Sequence, residues 1–404
     1  MASATSPGQD ATSAFNPQSV DLTNADPAEV VCYLEASGNE YNGQLGARIS
    51  ALFVILVVSS AVTFFPVLAT RTTKFKVPLY VYLFARYFGA GVIVATAFIH
   101  LLDPAYSEIG PNTCVGMTGG WAEYAWPPAI ALFSCVCVFL MDFGAERYVE
   151  KRYGLPHGQQ AEETDQARMR QRSGSVDFAA LQYEMSRRKS SVPNGHSHQA
   201  MHSGDQDGTA PFGNTMQPKS AGPNNTDIES IDTEKEHIIE TAFQQQIAAF
   251  LILEFGVIFH SVIIGLTLST AGDEFTVLYP VIVFHQSFEG LGLGARLSAI
   301  PFPKRLQWLP WWLCAGYGLT TPIAIAIGLG VRTTYNAGSF TANIVSGVLD
   351  ATSAGILIYT GLVELLARDF LFNPDRTHDD RQLAFMVVSV LLGAGIMALL
   401  GKWA

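Results

Sequence analysis

Charged side chains are scarce in this sequence: only 15% of its 404 residues are Asp, Glu, Lys or Arg, whereas 49% are hydrophobic. Soluble globular domains carry roughly 25% charged residues, so the composition argues against a soluble enzyme or binding domain. The formal net charge of −11 also argues against a nucleic-acid partner. We therefore expect an integral membrane protein whose main surroundings are the lipid bilayer.

Several signature patterns are missing as well. The first 46 residues contain no basic segment followed by an apolar one, so we expect no cleavable signal peptide. The hydrophobic runs lack the period-two alternation of a membrane β-barrel. No P-loop pattern is present, and the run GLGLG at 290–294 lacks the GxGxxG spacing, so neither a nucleotide nor an organic cofactor is expected.

Eight segments are apolar over about 20 residues, the length that a helix needs to cross a bilayer. We therefore predict an all-α integral membrane protein with eight transmembrane helices. Its divisions are an extracytoplasmic N-terminal tail at 1–46, spans 1 to 3 within 47–148, a disordered His-containing cytosolic connection at 149–241, and spans 4 to 8 within 242–404. The predicted spans are 47–69, 80–102, 126–148, 243–270, 275–299, 308–331, 340–367 and 383–402.

Basic residues are distributed unevenly between the two predicted sides of the membrane. The connections after spans 1, 3, 5 and 7 carry most of the Lys and Arg, and the opposite side carries Arg48, Arg332 and Lys402. By the positive-inside rule the basic connections are cytosolic, and both termini are extracytoplasmic. Acidic residues, among them Glu108 and Asp273, fall on or near the outer side, where they would concentrate cations at the entrance.

Ionisable and polar side chains occur inside four of the predicted spans. Each ionisable group there costs at least ~2.5 kcal/mol on insertion scales, which makes it a candidate functional residue. His285 and Glu289 are four residues apart, so one face of a helix presents both to the same ion. The candidates are His100 and Asp103 in span 2, Glu254, His260 and Ser261 in span 4, His285, Gln286 and Glu289 in span 5, and Asp350 and Glu364 in span 7.

A site built from these residues offers nitrogen and oxygen donors and no thiolate. That donor set suits zinc, ferrous iron, manganese or cobalt, and it binds loosely enough to allow release. A buried His–Glu hydrogen bond that only locks two helices is the alternative for one isolated pair. Repetition of His, Glu and Asp across four spans favours an ion pathway, and Pro280 with the nearby glycines would loosen span 5.

Two further groups of residues bear on metal and redox chemistry. The pattern HSH followed by MH brings His196, His198 and His202 together in the long connection, where they could capture a metal weakly. An ordinary polar linker is the alternative for this stretch. Cys32 and Cys114 are both predicted to lie outside the cell, where oxidation permits a disulfide between them.

The stretches HSVIIG at 260–265 and HQSFEGLGLGAR at 285–296 resemble the ZIP (Zrt/Irt-like protein) family of zinc and iron transporters. GAGVIVATAFIHLLDPA and SAGILIYTGLVELLARDF resemble the second and seventh helices of its fungal and plant branch. The resemblance covers the hydrophobic parts of the chain from about residue 43 onward. It implies a secondary transporter that imports Zn²⁺, or another divalent metal such as Fe²⁺, into the cytosol as its substrate.

The resemblance also implies an elevator-like motion of one helix group against another, often within a homodimer. Members with two adjacent metals have a carboxylate where this chain has Ile264, so a bridged second metal is not expected here. The mid-membrane metal site would consist of His260, Ser261, His285, Gln286 and Glu289. We assign His100, Asp103, Glu254, Asp350 and Glu364 to the transport pathway.

Two other functional classes would also use polar residues within membrane helices. A membrane-embedded metalloenzyme would share the ligand types, but the spans lack HExxH and contain too few histidines for the boxes of di-iron hydroxylases. A proton-coupled carrier of a non-metal solute would use buried carboxylates and kinked helices. The sequence leaves the preference between zinc and iron open. We expect the plasma membrane as the location, with an organelle membrane as the alternative.

Overall fold

The protein is helical throughout the residues that the computed structural model describes, which are 25–35, 41–72, 77–153, 225–373, 377 and 379–403. No β-strand occurs within these ranges. The α-helices in them are α1 Pro27–Glu35, α2 Leu45–Arg71, α3 Leu79–Ala95, α4 Asp103–Ile109, α5 Trp126–Tyr153, α6 Asn225–Thr270, α7 Phe275–Ala299, α8 Leu309–Val331, α9 Phe340–Tyr359 and α10 Asp380–Leu400.

The observed helices match the predicted spans closely at most of their ends. For example, α8 covers 309–331 where the sequence predicts 308–331. Two helices are longer than predicted, because α5 continues to Tyr153 and α6 begins at Asn225, inside the segment assigned to the cytosolic connection. The predicted metal-capturing residues His196, His198 and His202 lie outside the described part of the chain.

Two π-helical segments interrupt the regular α-helical geometry. The first, Thr96–Leu102, joins α3 to α4, and the second, Thr360–Phe372, continues α9. Hydrogen bonds in such segments run from residue i to residue i+5, and they occur frequently at functional sites. The widened turn changes which residues share a face, so predictions made with 3.6 residues per turn fail across these segments.

Six of the described helices are long and apolar enough to cross a membrane. The helices α7 and α9, which carry many of the buried polar residues, are not among these six. The fold is therefore an all-helical assembly of membrane-spanning character. The six candidate spans are Leu45–Arg71, Leu79–Ile109, Trp126–Tyr148, Gln246–Thr270, Lys304–Val331 and Asp380–Leu400.

The surface of this assembly is apolar, whereas its interior contains polar groups. Phe133 is 72% exposed and Trp312 is 68% exposed, yet Glu289 is only 1% exposed. A water-soluble protein shows the opposite distribution. Large apolar side chains exposed in this number are favoured next to hydrocarbon, which supports burial of the helices in lipid.

The long helices form two groups. In the first group α2 packs on α7 and α8, and α8 packs on α6; in the second, α10 packs on α3, and α9 packs on α4 and α5. The groups meet where α7 crosses α3 and where α9 crosses α6. The α7–α3 crossing is very close, because a Cβ atom added to Gly89 would lie 2.1 Å from the Cα of Gly292. Only glycine permits this approach.

Arg48 fixes the start of α2 to the end of α6. Its buried guanidinium donates hydrogen bonds to the carbonyl oxygens of Leu268 at 3.1 Å, Ser269 at 3.0 Å and Ala271 at 2.6 Å. The last carbonyl groups of a helix have no partner within it, and a cation there is favoured by the helix dipole. Arg48 therefore caps the C-terminal end of α6.

The disulfide that the sequence left open is formed between Cys32 and Cys114. It ties α1 to the loop that follows α4, and the backbone N–H of Cys114 also donates to Glu35 Oε2 at 2.9 Å. We refer to this end of the helix bundle, with the Arg48 cap and the loop between α6 and α7, as the disulfide end.

Candidate metal site

Three buried side chains from α6 and α7 converge inside the protein: His260, His285 and Glu289, here called the histidine cluster. Each is at most 3% exposed, and one ligand atom of each lies within 4.8 Å of the other two. The Nε2 atoms of His260 and His285 are 3.3 Å apart. His285 Nε2 is also 3.3 Å from Glu289 Oε1, one helical turn along α7.

The two separations from His285 Nε2, 3.3 Å each, match the edges of a tetrahedral metal site. Zinc binds histidine nitrogen at about 2.0–2.1 Å and carboxylate oxygen at a similar distance, so neighbouring ligands around one ion lie about 3.3 Å apart. Two nitrogens and one oxygen leave room for water or another ligand. The donor set suits a borderline dication without holding it as firmly as thiolates would.

Several atoms of the histidine cluster have no hydrogen-bond partner in the protein, namely Nδ1 of His260 and both carboxylate oxygens of Glu289. A buried polar atom left unpaired costs about 1–3 kcal/mol, so folded proteins keep few of them. A bound cation would give the Glu289 oxygens a partner. The arrangement therefore has the donor chemistry of an ion site and differs from a plain hydrogen-bonded helix lock.

Ser261 and Gln286 form a second contact between α6 and α7, one residue beyond the two histidines. Gln286 Nε2 donates to Ser261 Oγ at 3.3 Å, while the amide oxygen of Gln286 has no partner. Tyr317 of α8 donates its hydroxyl to the main-chain oxygen of Gln286 at 2.8 Å. No sequence pattern points to Tyr317, since one aromatic residue in an apolar helix is ordinary.

His100 approaches the histidine cluster from the other helix group. Its ring centroid lies 4.5 Å from that of His285, but its Nε2 is 3.0 Å from the carbonyl oxygen of Met397. This hydrogen bond places the proton on Nε2. Among the described residues, the three whose ligand atoms lie within 4.8 Å of one another do not include His100, so it adjoins the cluster without belonging to it. Asp103, predicted on the same face, is exposed, because the helix changes from π to α geometry between the two residues.

Asp350 of α9 lies behind His260. Its Oδ1 is 3.9 Å from Nδ1 of His260, which is too long for a hydrogen bond. Asp350 is 3% exposed, and its Oδ1 has no hydrogen-bond partner. Carboxylates in this position commonly set the tautomer and orientation of a metal-binding imidazole.

Glu364 and Glu254 lie away from the histidine cluster. Glu364 is held by Arg368 of its own segment, with Nη1 at 2.8 Å, and by Arg296 of α7, with Nη2 at 3.6 Å. Glu254 is 4% exposed and precedes His260 on α6. Ile264, where a second metal would need a carboxylate, packs in an apolar cluster with Leu268.

The chain matches a known family over nearly all of its length. The family model described as ZIP Zinc transporter matches residues 45–401. Zinc-regulated transporter 1 of Saccharomyces cerevisiae is 53% identical over 395 residues, which are 96% of this chain and 97% of that protein. Zinc-regulated transporter 1 of Schizosaccharomyces pombe is 41% identical, covering 93% and 90% of the two chains.

A third relative, zinc-regulated transporter 2 of Saccharomyces cerevisiae, is 35% identical and covers 95% of this chain and 100% of its own. No solved structure matches the chain.

Proposed function

Because the chain belongs to the ZIP family and is therefore a metal transporter and not an enzyme, we propose that it imports Zn²⁺ into the cytosol through the histidine cluster. The observation that carries this proposal is the convergence of His260, His285 and Glu289, in which His285 Nε2 lies 3.3 Å from a ligand atom of each of the other two and the Glu289 oxygens accept no hydrogen bond. Ser261 and Gln286 hold the two helices in register, and the free amide oxygen of Gln286 can join the ligand shell.

We further propose eight spans with both termini extracytoplasmic, in which α7 and α9 cross the membrane inside the assembly. At 1.5 Å per residue, the 25 residues of α7 are long enough to span a bilayer. The end opposite the disulfide contains Arg296, Arg368 and the ion pair of Arg86 with Asp369 at 2.6 Å, and we call it the arginine end. An arginine-rich end suits the cytosol, and a disulfide suits the oxidising side.

Transport through such a site starts with exchange of the ion's water for fixed ligands. His260 and His285 bind only as neutral imidazoles, while the Glu289 carboxylate offsets part of the ion's charge. A membrane potential that is negative inside favours inward movement by about 2.3 kcal/mol per charge per 100 mV. Release is possible because the site contains only nitrogen and oxygen donors.

Alternating access would follow from the two helix groups. The histidine cluster belongs to α6 and α7 of the first group, whereas His100 and Asp350, which border it, belong to the second. Sliding of the first group would carry the ion past these bordering residues from one side of the membrane to the other. The family resemblance extends this proposal to a homodimer in the plasma membrane, with His196, His198 and His202 receiving metal on the cytosolic side.

Metal uptake in cells that lack their own zinc and iron importers tests the proposal. We expect His260→Ala and His285→Ala to abolish ⁶⁵Zn uptake at normal surface expression. The combined change of His196, His198 and His202 to Ala should leave the maximal rate nearly intact. Uptake that survives loss of the cluster histidines would contradict the proposal. Parallel assays with iron, amino acids and sugars would measure metal preference and test the alternative of a proton-coupled carrier.

A further inference from the structure

A pair of carboxylates lies beside the histidine cluster, toward the disulfide end. Asp350 of α9 is next to His260, as described above. Glu108 is in the last turn of α4 and packs against α9. The distance shows this contact: a Cβ atom added to Gly347 of α9 would lie 3.2 Å from the Cβ of Glu108. Gly347 and Asp350 are three residues apart, which brings both onto one face of α9.

That contact places Glu108 about one helical turn from Asp350 along α9, and the hydroxyl of Ser346, next to Gly347, lies beside Glu108. Burial, together with the charge of Glu108, also raises the pKa of Tyr335 in the loop between α8 and α9. Like charges that approach each other in a poorly hydrated environment repel strongly. Either a proton on one carboxylate or a cation between the two would remove this repulsion.

No arginine or lysine in the described part of the chain forms a salt bridge with either carboxylate. Glu108 Oε2 and Asp350 Oδ1 are both buried and without a hydrogen-bond partner. Asp350 is 3% exposed, so bulk solvent scarcely reaches it. The opposite is seen at the arginine end, where Arg296 and Arg368 surround Glu364.

We propose that Glu108 and Asp350 form a second cation subsite, built from oxygen donors, that binds a partly hydrated Zn²⁺ before it reaches the histidine cluster. This inference rests on the proposed function, because the subsite lies on the approach only if the disulfide end faces outward. Oxygen donors and retained water bind a dication less tightly than imidazole does, which suits a first station. Adjacent sites that share an ion pathway also promote onward movement by repulsion between ions.

His260 connects the two stations. Its Nδ1 faces Asp350 and its Nε2 faces His285, so one imidazole borders both the oxygen subsite and the histidine cluster. An ion leaving Asp350 therefore meets a nitrogen donor of the cluster within a few ångströms. This second ion is separate from the bridged pair that Ile264 argues against.

A purely orienting role for Asp350 is the competing explanation, since a carboxylate behind a metal-binding histidine often fixes its tautomer. That role explains Asp350 but gives Glu108 no function. Glu108→Gln is therefore the decisive variant, because it removes one charge from the pair without touching His260. Glu123→Gln is the matched control, since Glu123 is exposed and predicted on the same side of the membrane.

The test is metal stoichiometry of the purified full-length protein in lipid nanodiscs, measured by equilibrium dialysis against Zn²⁺ and elemental analysis. His196, His198 and His202 are changed to Ala in every sample, the wild type included, so that the loop adds no metal to the count. We expect two ions for the wild type and for Glu123→Gln, and one for Glu108→Gln. In uptake assays Glu108→Gln should raise the half-saturating Zn²⁺ concentration by roughly tenfold, the order of loss seen when a carboxylate near a metal is removed, while the maximal rate is retained.

One bound ion in both the wild type and Glu108→Gln, with equal half-saturating concentrations, would overturn the subsite and leave the proposed function standing. Failure of the proposed function would give a different result from failure of the subsite. Zn²⁺ uptake would then persist in His285→Ala, whatever the number of bound ions. Asp350→Glu should restore two-ion binding relative to Asp350→Asn. If both Asp350 variants bind two ions, the carboxylate is not a ligand and the proposal is wrong.

Discussion

Arg296 and Glu364 link the two helix groups, with Arg296 Nη2 3.6 Å from Glu364 Oε2. Arg296 belongs to α7 and Glu364 to the π-helical continuation of α9, so the pair crosses the boundary along which we propose the groups slide. Any such movement must break or stretch this contact. The pair thus favours the arrangement of the two groups that this structure shows.

Reversing the charge of Arg296 is predicted to impair transport through repulsion. Arg296→Glu would face the Glu364 carboxylate, and we expect its uptake rate to fall. Combining Arg296→Glu with Glu364→Arg should recover roughly fivefold or more, which corresponds to about 1 kcal/mol of coupling between contacting residues. Uptake of ⁶⁵Zn normalised to surface expression measures the effect. Lys304→Glu, a change of an exposed residue at the same end, should have little effect on uptake. If the effects of Arg296→Glu and Glu364→Arg on uptake simply add in the double variant, the coupling is contradicted.

Zinc is predicted to stabilise the protein through the histidine cluster. A ligand at a hundredfold excess over its dissociation constant adds about 2.7 kcal/mol to the stability of the form that binds it. We therefore expect Zn²⁺ to raise the melting temperature of the purified wild-type protein. Glu289→Gln, which keeps the shape and loses the charge, should lose most of that shift. An equal shift in Glu289→Gln and the exposed control Glu123→Gln would argue against the cluster.

The glycine contact between α3 and α7 predicts sensitivity to a single methyl group. In Gly292→Ala the new Cβ would lie 2.8 Å from the Cα of Gly89, so one helix must shift. Such overpacking typically costs 1–3 kcal/mol, and we expect lower uptake and a lower melting temperature. Gly395→Ala is the control, because a Cβ there meets no atom within 4 Å. Wild-type behaviour of Gly292→Ala would show that the helices separate easily.

Replacing Arg48 by Met is predicted to destabilise the protein although no metal ligand changes. The variant keeps an unbranched apolar chain but leaves the carbonyl oxygens of Leu268, Ser269 and Ala271 without their donor. Each orphaned buried carbonyl costs on the order of 1–3 kcal/mol. Detergent-solubilised protein should melt at least about 5 °C lower. Lys402→Met, an exposed change, should melt like the wild type.

Local sequence patterns were sufficient to predict most helices and the core of the candidate site. Runs of apolar residues placed α2 and α8 to within about two residues at their ends, because such runs are read along the chain. The pairing of His285 with Glu289 was also predictable, since residues four apart on a helix always share a face.

Features that depend on contacts between distant segments were not predictable. Arg48 looked like an ordinary outer-side charge, and only the fold shows that it caps α6. Asp103 was assigned to the pathway with His100, but the π-helical segment between α3 and α4 turns it outward. The sequence predicts Glu364 in the transport pathway, but its contact with Arg296, from a helix some 70 residues earlier, becomes visible only in the fold.

The Cys32–Cys114 bond records the compartment into which each molecule delivered these two cysteines. Cytosolic reductants keep thiols reduced. A chain therefore acquires this bond after both cysteines have been delivered into an oxidising lumen. Molecules inserted upside down would retain two alkylatable thiols at these positions. Under the proposed topology, the ratio of disulfide-bonded to alkylated protein in a cell extract therefore measures the fraction of transporters in that orientation, independently of whether they carry any ion.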